Sequence, residues 1–252
     1  MRAAGANLLF DCGRGVVMRL SAAGVLPVGL TAVLLTHLHS DHITDLNDVI
    51  TTQWVMTPGP APLRVFGPPG TRRVVDAILE MLALDQRYRH DHHADLQHPP
   101  TVEVTEVGPG DEVDLPVDGL RIVVHETDHR PVAPTVGYRI EAEGRVVAIA
   151  GDTVPCVTLD ELCAGADVYV QTVIREDLVR AIPVARLHDI CDYHSTVEQA
   201  AQTATRAGVR TLVLTHYVPA MAPGDEEAWR ALAAGHFAGA IVLGDDLTRI
   251  EV

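Results

Sequence analysis

The chain has 252 residues, of which 34 are acidic and 19 basic, so its formal charge is −15, and every basic residue is arginine. Proteins that bind nucleic acid normally carry a basic footprint that displaces counterions from phosphates, and the chain as a whole has none. No apolar run approaches the roughly 20 residues that cross a bilayer, and no signal peptide is visible, so we expect a cytoplasmic protein that does not enter a membrane.

Two short strands are predicted near the N-terminus. The first covers residues 7–11 and ends at Cys12-Gly13. The second covers residues 30–35, an apolar run with β-branched members that is typical of a buried strand. Residues that follow such a strand lie at the carboxyl edge of its sheet, where α/β proteins place ligands.

Three histidines and a carboxylate follow the second strand directly. His37, His39, Asp41 and His42 form the pattern H-x-H-x-D-H. Imidazole and carboxylate groups are good ligands for a borderline cation such as zinc. Four such groups within six residues can serve two ions but would crowd around one. The spacing therefore indicates a metal site rather than a histidine-rich polar loop.

The next segment predicts a helix over residues 45–56, a strand over 63–67 and a helix over 71–84. A histidine-rich stretch, residues 90–98, follows them. Its histidines could bind a metal, but no predicted strand positions them. We therefore expect a solvated loop near the cleft.

The second half of the chain alternates strands with short helices. Strands are predicted over residues 102–107, 120–125, 136–140, 146–150, 167–170, 211–215 and 240–243. Two of them end in further metal-type ligands, Asp152 and His216. Residues 173–193 predict a surface helix and loop, and Ser195 with Glu198 predicts a capping box at the start of a helix.

The ordered motifs resemble the metallo-β-lactamase superfamily, in its ribonuclease Z and arylsulfatase-like branch. They are H-x-H-x-D-H, a histidine before G-Y-R-I, then G-D-T, H-S-T and L-T-H-Y, and they span nearly the whole chain. Residues 189–195 are most similar to actinobacterial proteins labelled ribonuclease Z. The resemblance implies an α/β protein with the four-layer αββα fold, in a single hydrolase domain over residues 1–252. The first strand of that fold usually precedes residues 7–11, and we expect it to be missing here.

The resemblance also implies two divalent ions, zinc first, with manganese or iron as alternatives. One ion would have the ligands His37, His39 and His129, the other would have Asp41, His42 and His216, and Asp152 would bridge both. Two cations about 3.5–4 Å apart need a shared anionic ligand, and they lower the pKa of a bridging water so that hydroxide exists at neutral pH. Asp41 would orient that water or accept its proton.

Two histidines of the second half have alternative interpretations. His125 competes with His129 as the third ligand, and we favour His129 because it follows the strand in a loop that should face the cleft. By the resemblance, His194 would stabilise charge on the scissile group and protonate the leaving oxygen. The alternative for His194 is a histidine that simply precedes a helix cap.

The sequence departs from the family at two places. Ribonuclease Z enzymes commonly have a long arm that grips transfer RNA between the G-Y-R-I strand and the bridging aspartate, and here only a tight hairpin around Gly144 fits. A histidine-glutamate pair usually follows the strand equivalent to residues 167–170, and here Gln171-Thr172 stands there. The carboxylate that would orient His194 is therefore missing, which weakens its interpretation as a tuned acid.

Three functional hypotheses follow. The first is a dinuclear zinc phosphodiesterase similar to ribonuclease Z, which is an endoribonuclease that processes transfer RNA 3′ ends. We expect such a protein to be a homodimer. The second is an arylsulfatase-like or other small-ester hydrolase on the same scaffold, which the missing arm and the acidic charge favour. The third is a metal-stabilised binding protein with weak catalysis.

Overall fold

The computed structural model describes all residues from 1 to 252. Contacts within the chain divide it into two compact units, Met1–Val107 and Gly108–Val252, and each unit contains one β-sheet with helices packed on it. The prediction of a single domain over residues 1–252 stays a prediction. None of the helices combines the length and the apolar character that a membrane span requires.

The first unit has a five-stranded sheet in the order β1-β2-β3-β4-β5, in which only β1 runs antiparallel to its neighbour. The strands are β1 (Arg2–Ala3), β2 (Ala6–Phe10), β3 (Ala32–Leu34), β4 (Leu63–Gly67) and β5 (Val102–Glu106). The helices are α1 (Val16–Ala22), α2 (Ser40–Ile43), α3 (Leu46–Met56), α4 (Thr71–Met81) and α5 (Ala83–His92). A 3-10 turn, Pro27–Gly29, precedes β3.

Strand β1 corrects the prediction that no strand precedes residues 7–11. It pairs antiparallel with β2 around the turn Ala4-Gly5, where both residues have positive φ angles of 47° and 80°. A two-residue strand is too short to show the alternating polarity on which a sequence-based prediction depends. The edge strand of this sheet is therefore present in minimal form.

Helix α3 lies where the sequence predicts it, and its apolar spacing explains its position. Val49 and Ile50 are fully buried and belong to the core of the first unit, together with Val33 of β3, Val65 of β4 and Val75 of α4. Each such side chain stabilises the fold by roughly 1.5–3 kcal/mol when it is fully buried. This core fixes the end of β3, from which the H-x-H-x-D-H motif follows.

The histidine-rich stretch is not a loop as predicted, because its first part is helical. Helix α5 continues to His92, and its Asp85–Arg89 pair, at 2.7 Å, has the i,i+4 spacing that supports a surface helix. The buried indole of Trp54 donates its N–H to the His98 carbonyl at 2.8 Å. These contacts give the stretch a structural role beside Trp54.

The second unit has a six-stranded mixed sheet in the order β11-β10-β9-β8-β7-β6, antiparallel from β6 to β8 and parallel from β8 to β11. The strands are β6 (Leu120–Glu126), β7 (Val136–Ala142), β8 (Arg145–Ile149), β9 (Val168–Ile174), β10 (Thr211–Val218) and β11 (Ala240–Leu243). The helices are α6 (Val157–Cys163), α7 (Glu176–Arg180), α8 (Ala185–His188), α9 (Val197–Arg206) and α10 (Glu226–Ala234). A 3-10 turn, Asp189–Asp192, follows α8.

Strands β7 and β8 form a tight hairpin, as the sequence predicts. Ala142 pairs with Arg145, and the two turn residues, Glu143 and Gly144, have φ angles of 54° and 75°. Positive φ at both central residues matches the twist of the flanking strands. Only this turn, β8 and residues 150–151 lie between β7 and Asp152, so no long arm is inserted there.

The capping box of α9 lies one residue later than predicted. Thr196 caps the helix, because its hydroxyl accepts the Gln199 N–H while the Gln199 side chain accepts the Thr196 N–H. The Ser195 hydroxyl instead donates to the Thr153 carbonyl at 2.7 Å. This bond ties the start of α9 to the residue that follows Asp152.

Candidate metal centre

The H-x-H-x-D-H motif occupies a short turn and the helix α2 after β3. His37 and His42 are buried, and the side chain of Asp41 is 55% exposed. The Cys12 N–H donates to the His42 carbonyl at 2.7 Å. A Cβ atom at Gly13 would collide with the Asp41 carbonyl oxygen, so glycine is required for this close approach. The end of β2 therefore holds the motif in place.

The first two histidines of the motif have the spacing of ligands to one ion. Nε2 of His37 lies 3.1 Å from Nδ1 of His39. Two nitrogen ligands of one tetrahedral zinc lie roughly 3.3 Å apart, given Zn–N distances of about 2.0–2.1 Å. The donor atoms present thus fit a divalent metal ion at this point.

Asp11 is a further residue of the candidate site that is not among the ligands predicted from the sequence. Its carboxylate accepts hydrogen bonds from the Nδ1–H of His42 at 2.8 Å and from the Thr36 hydroxyl at 2.9 Å. That hydroxyl in turn accepts from Nδ1 of His37 at 3.1 Å. Both imidazoles are therefore in the tautomer in which Nε2 has the lone pair. Asp11 ends a strand in a carboxylate, the same signal that identified Asp152.

The second unit brings three further candidate residues together. His129, Asp152 and His194 are buried, and their ligand atoms all lie within 4.8 Å of one another. Nε2 of His194 lies 3.2 Å from the Asp152 carboxylate, and Nε2 of His129 lies 4.0 Å from it. A buried carboxylate between two imidazoles is a suitable anionic ligand for a cation.

Backbone carbonyls orient both of these histidines. Nδ1 of His129 donates to the Tyr193 carbonyl at 2.7 Å, and Nδ1 of His194 donates to the Ile190 carbonyl at 3.0 Å. The carboxylate missing at position 172 is thus replaced by the Ile190 carbonyl. The Thr172 hydroxyl itself donates to the Gly151 carbonyl at 3.1 Å. His194 therefore has an orienting partner even without a carboxylate at position 172.

His216 lies within β10, at an irregular point of the strand. Its φ angle is 54°, and the register with β9 shifts between Thr215 and Val218. The His216 ring is nearly parallel to that of His194, with centroids 6.3 Å apart. His216 lines a cavity of about 800 Å³, whose lining also includes Glu226 and Asp245 but no arginine.

His125, the alternative to His129, lies in β6 and takes part in none of the groups that could hold a metal. Burial, with the nearby Arg139 guanidinium, lowers the pKa of its imidazole. His129 by contrast is completely buried and belongs to the group around Asp152. The geometry of the second unit therefore favours His129, in agreement with its predicted place in a loop after the strand.

A family model and a sequence relative both match most of this chain. Residues 6–217 match the family described as beta-lactamase superfamily domain. Ribonuclease Z from Mycolicibacterium paratuberculosis is 59% identical over 254 residues, covering 100% of this chain and 90% of that protein.

Two solved structures resemble the whole chain in fold. The metallo-β-lactamase fold protein YhfI from Bacillus subtilis has a TM-score of 0.70 at 21% identity, over 97% of this chain and 87% of that one. The short form of human tRNase Z has a TM-score of 0.69 at 22% identity, over 100% of this chain and 90% of that one. The predicted metallo-β-lactamase fold is confirmed.

Proposed function

The chain belongs to the β-lactamase superfamily, and we propose that it is a metal-dependent hydrolase of the ribonuclease Z type that cleaves phosphodiesters. The observation that carries this proposal is the hydrogen bonding of its histidines. His42 donates its Nδ1–H to a carboxylate, and His129 donates its Nδ1–H to a backbone carbonyl. Metal-binding histidines almost always have such a partner, because it fixes the ring and raises the basicity of the other nitrogen.

We assign seven ligands to two divalent ions, preferably zinc. One ion would be held by His37, His39 and His129, and the other by Asp41, His42 and His216. Asp152 would be the ligand that both ions share. The donor types, imidazole and carboxylate, are those that zinc prefers at catalytic sites.

The bound ions would supply positive charge at the scissile phosphate and a nucleophile from water at neutral pH. The chain's own residues supply the proton transfers. The exposed carboxylate of Asp41 accepts the proton of the attacking water. His194 presents Nε2 on the side of Asp152 and protonates the leaving oxygen, while the Ile190 carbonyl keeps its ring in place.

RNA 3′ ends, including those of precursor transfer RNA, are the first substrate class that we propose. The support is the relative named ribonuclease Z, at 59% identity over the full chain. We also expect a homodimer, which stays a prediction. The second substrate class is a small phosphate, sulfate or carboxylic ester. The tight hairpin at Glu143-Gly144 and the acidic lining of the cavity beside His216 favour this class, because neither offers a grip on a polyanion.

The experiment that tests the proposal compares three substrates on zinc-loaded protein. We would measure turnover of a precursor transfer RNA, bis(p-nitrophenyl) phosphate and p-nitrophenyl sulfate. Cleavage of the precursor at its 3′ end supports the ribonuclease Z-type activity, and turnover of the small esters alone supports the second class. Bound metal with turnover of none of the three would favour a binding protein and overturn the proposal.

A further inference from the structure

Residues 190–193 form a short turn that contacts two histidines of the site at once. The Ile190 carbonyl accepts hydrogen bonds from Nδ1 of His194 at 3.0 Å and from the N–H of Tyr193 at 3.4 Å. The Tyr193 carbonyl accepts the Nδ1–H of His129 at 2.7 Å. Backbone carbonyls of this one turn thus accept the Nδ1–H of both imidazole rings.

The side chain of Tyr193 contacts the same two rings. Its ring centroid lies 5.1 Å from that of His129 at an interplanar angle of 82°, and 4.8 Å from that of His194 at 43°. The two imidazoles are themselves 4.8 Å apart at 81°. The three rings therefore form a closed triangle in which each ring contacts the other two.

A hydrogen bond at Nδ1 fixes one atom of an imidazole but still allows the ring to tilt about that atom. A flat ring against the imidazole prevents such a tilt, because the tilted ring would collide with it. Aromatic rings prefer offset-stacked or edge-to-face contacts with centroids about 4.5–7 Å apart, and both centroid distances of Tyr193 fall in this range. The Tyr193 side chain is half-buried, so part of it packs on the histidines and the rest is open to solvent.

We infer that Tyr193 is a positioning residue whose ring keeps His129 and His194 in the orientations that metal binding and proton transfer require. The inference rests on the proposed function for the role of His194, and on the ligand assignment for the role of His129. Tyr193 acts through the two histidines, and its ring rather than its hydroxyl makes the contacts.

The first test measures zinc affinity by competition with a chromophoric chelator, on the full chain. The variants are Tyr193→Ala, Tyr193→Leu and Tyr193→Phe. Residues that orient a ligand typically change metal affinity by about 10–100-fold, so we expect a loss of roughly tenfold in the Ala and Leu variants and almost none in Tyr193→Phe. Tyr193→Leu retains bulk without a flat ring, so it replaces Tyr193→Ala if that variant fails to fold.

The second test measures kcat at saturating zinc for phosphodiesters with good and poor leaving groups. Tyr193→Ala should lower kcat for the poor leaving group more than for p-nitrophenolate, with little change in KM, because the proton donor is misaligned. Tyr193→Phe should restore the wild-type ratio of the two rates. Tyr88→Ala is the matched control, since Tyr88 is 63% exposed and lies on α5, a helix that contains none of the proposed ligands.

Two outcomes would overturn the inference. One is a Tyr193→Ala variant with unchanged zinc affinity and an unchanged leaving-group ratio. The other is a Tyr193→Phe variant as impaired as Tyr193→Ala, which would assign the effect to the hydroxyl. A wild-type protein that cleaves no phosphodiester would contradict the proposed function instead, and the zinc affinities of the three variants would still decide the role of Tyr193.

Discussion

The carboxylate of Asp11 accepts a hydrogen bond from Nδ1 of His42 at 2.8 Å, although 31 positions separate the two residues in the sequence. The same carboxylate accepts the backbone N–H of Thr36 at 2.7 Å. Asp11 has a φ angle of 57°, an uncommon conformation outside glycine, which turns its side chain towards the metal motif. Asp11 therefore couples the end of β2 to the proposed ligand His42.

Asp11→Ala should weaken zinc binding without abolishing it. Loss of the partner of Nδ1 frees the His42 ring to rotate and lowers its basicity, which typically reduces metal affinity by about 10–100-fold. Competition with a chelator measures the change. Asp95→Ala, at an exposed position, is the control and should bind zinc as the wild type does. Equal zinc affinity in Asp11→Ala and in the wild type would show that His42 needs no orienting partner.

Wild-type protein should bind two ions per chain, and ligand variants should lose them unequally. Asp152→Ala should remove both, because the proposed bridge contacts each ion, whereas His129→Ala should leave about one. Metal analysis of protein purified without chelator and supplemented with zinc measures the content. His236→Ala, at an exposed position, should retain both ions. Identical losses in Asp152→Ala and His129→Ala would exclude the bridging role.

His194→Ala should lower kcat while both ions remain bound. General acid catalysis typically contributes about 10²–10⁴-fold, and we expect a loss within that range for a poor leaving group. The loss should shrink for p-nitrophenolate, which leaves without a proton. Because His194 also lies among groups that could hold a metal, ion content must be measured in the same preparation. Loss of an ion in His194→Ala would instead identify this histidine as a ligand.

Asp167 should make the free energy of unfolding depend on pH in the acid range. The Val146 N–H, and the guanidinium groups of Arg210 and Arg145, hold the pKa of this carboxyl below its ordinary value of 3.8. A lowered folded-state pKa means that the stabilisation is fully present above that ordinary value and is lost as the pH falls through the lowered one.

Asp167→Asn should therefore reduce the free energy of unfolding by about 1–3 kcal/mol at neutral pH, and the difference from wild type should vanish below the folded-state pKa. Urea unfolding in the presence of a chelator measures this without interference from metal release. Asp177→Asn is the control, because the Arg175–Asp177 pair has a largely exposed carboxylate and should contribute less than about 1 kcal/mol. A constant difference across the acid range would contradict the assignment to Asp167.

The sequence predicts most of the fold because its apolar periodicity follows the observed elements. Helix α3 and the β7–β8 hairpin lie within a residue or two of their predicted bounds. The capping box is displaced by one residue, since Ser195-Thr196 offers two adjacent hydroxyls and only the tertiary contact of Ser195 with Thr153 decides between them. The turns of α5 were missed because polar residues at a helix end resemble a loop.

The sequence predicts the candidate site less well where backbone carbonyls accept hydrogen bonds from its histidines. The motif histidines can be read from their spacing, and Asp11 could have been found from its place at the end of a strand. The contacts of Ile190 and Tyr193 could not, because a carbonyl oxygen exists at every residue and only the fold decides which one meets a histidine.

The two ways of orienting histidines have different consequences under mutational drift. His42 depends on the side chain of Asp11, so a single codon change can remove its partner. The Nδ1 hydrogen bond of His194 depends on the Ile190 carbonyl oxygen, which persists through a side-chain substitution at Ile190. Random variants selected for activity should therefore accumulate changes at position 190 while position 11 remains aspartate.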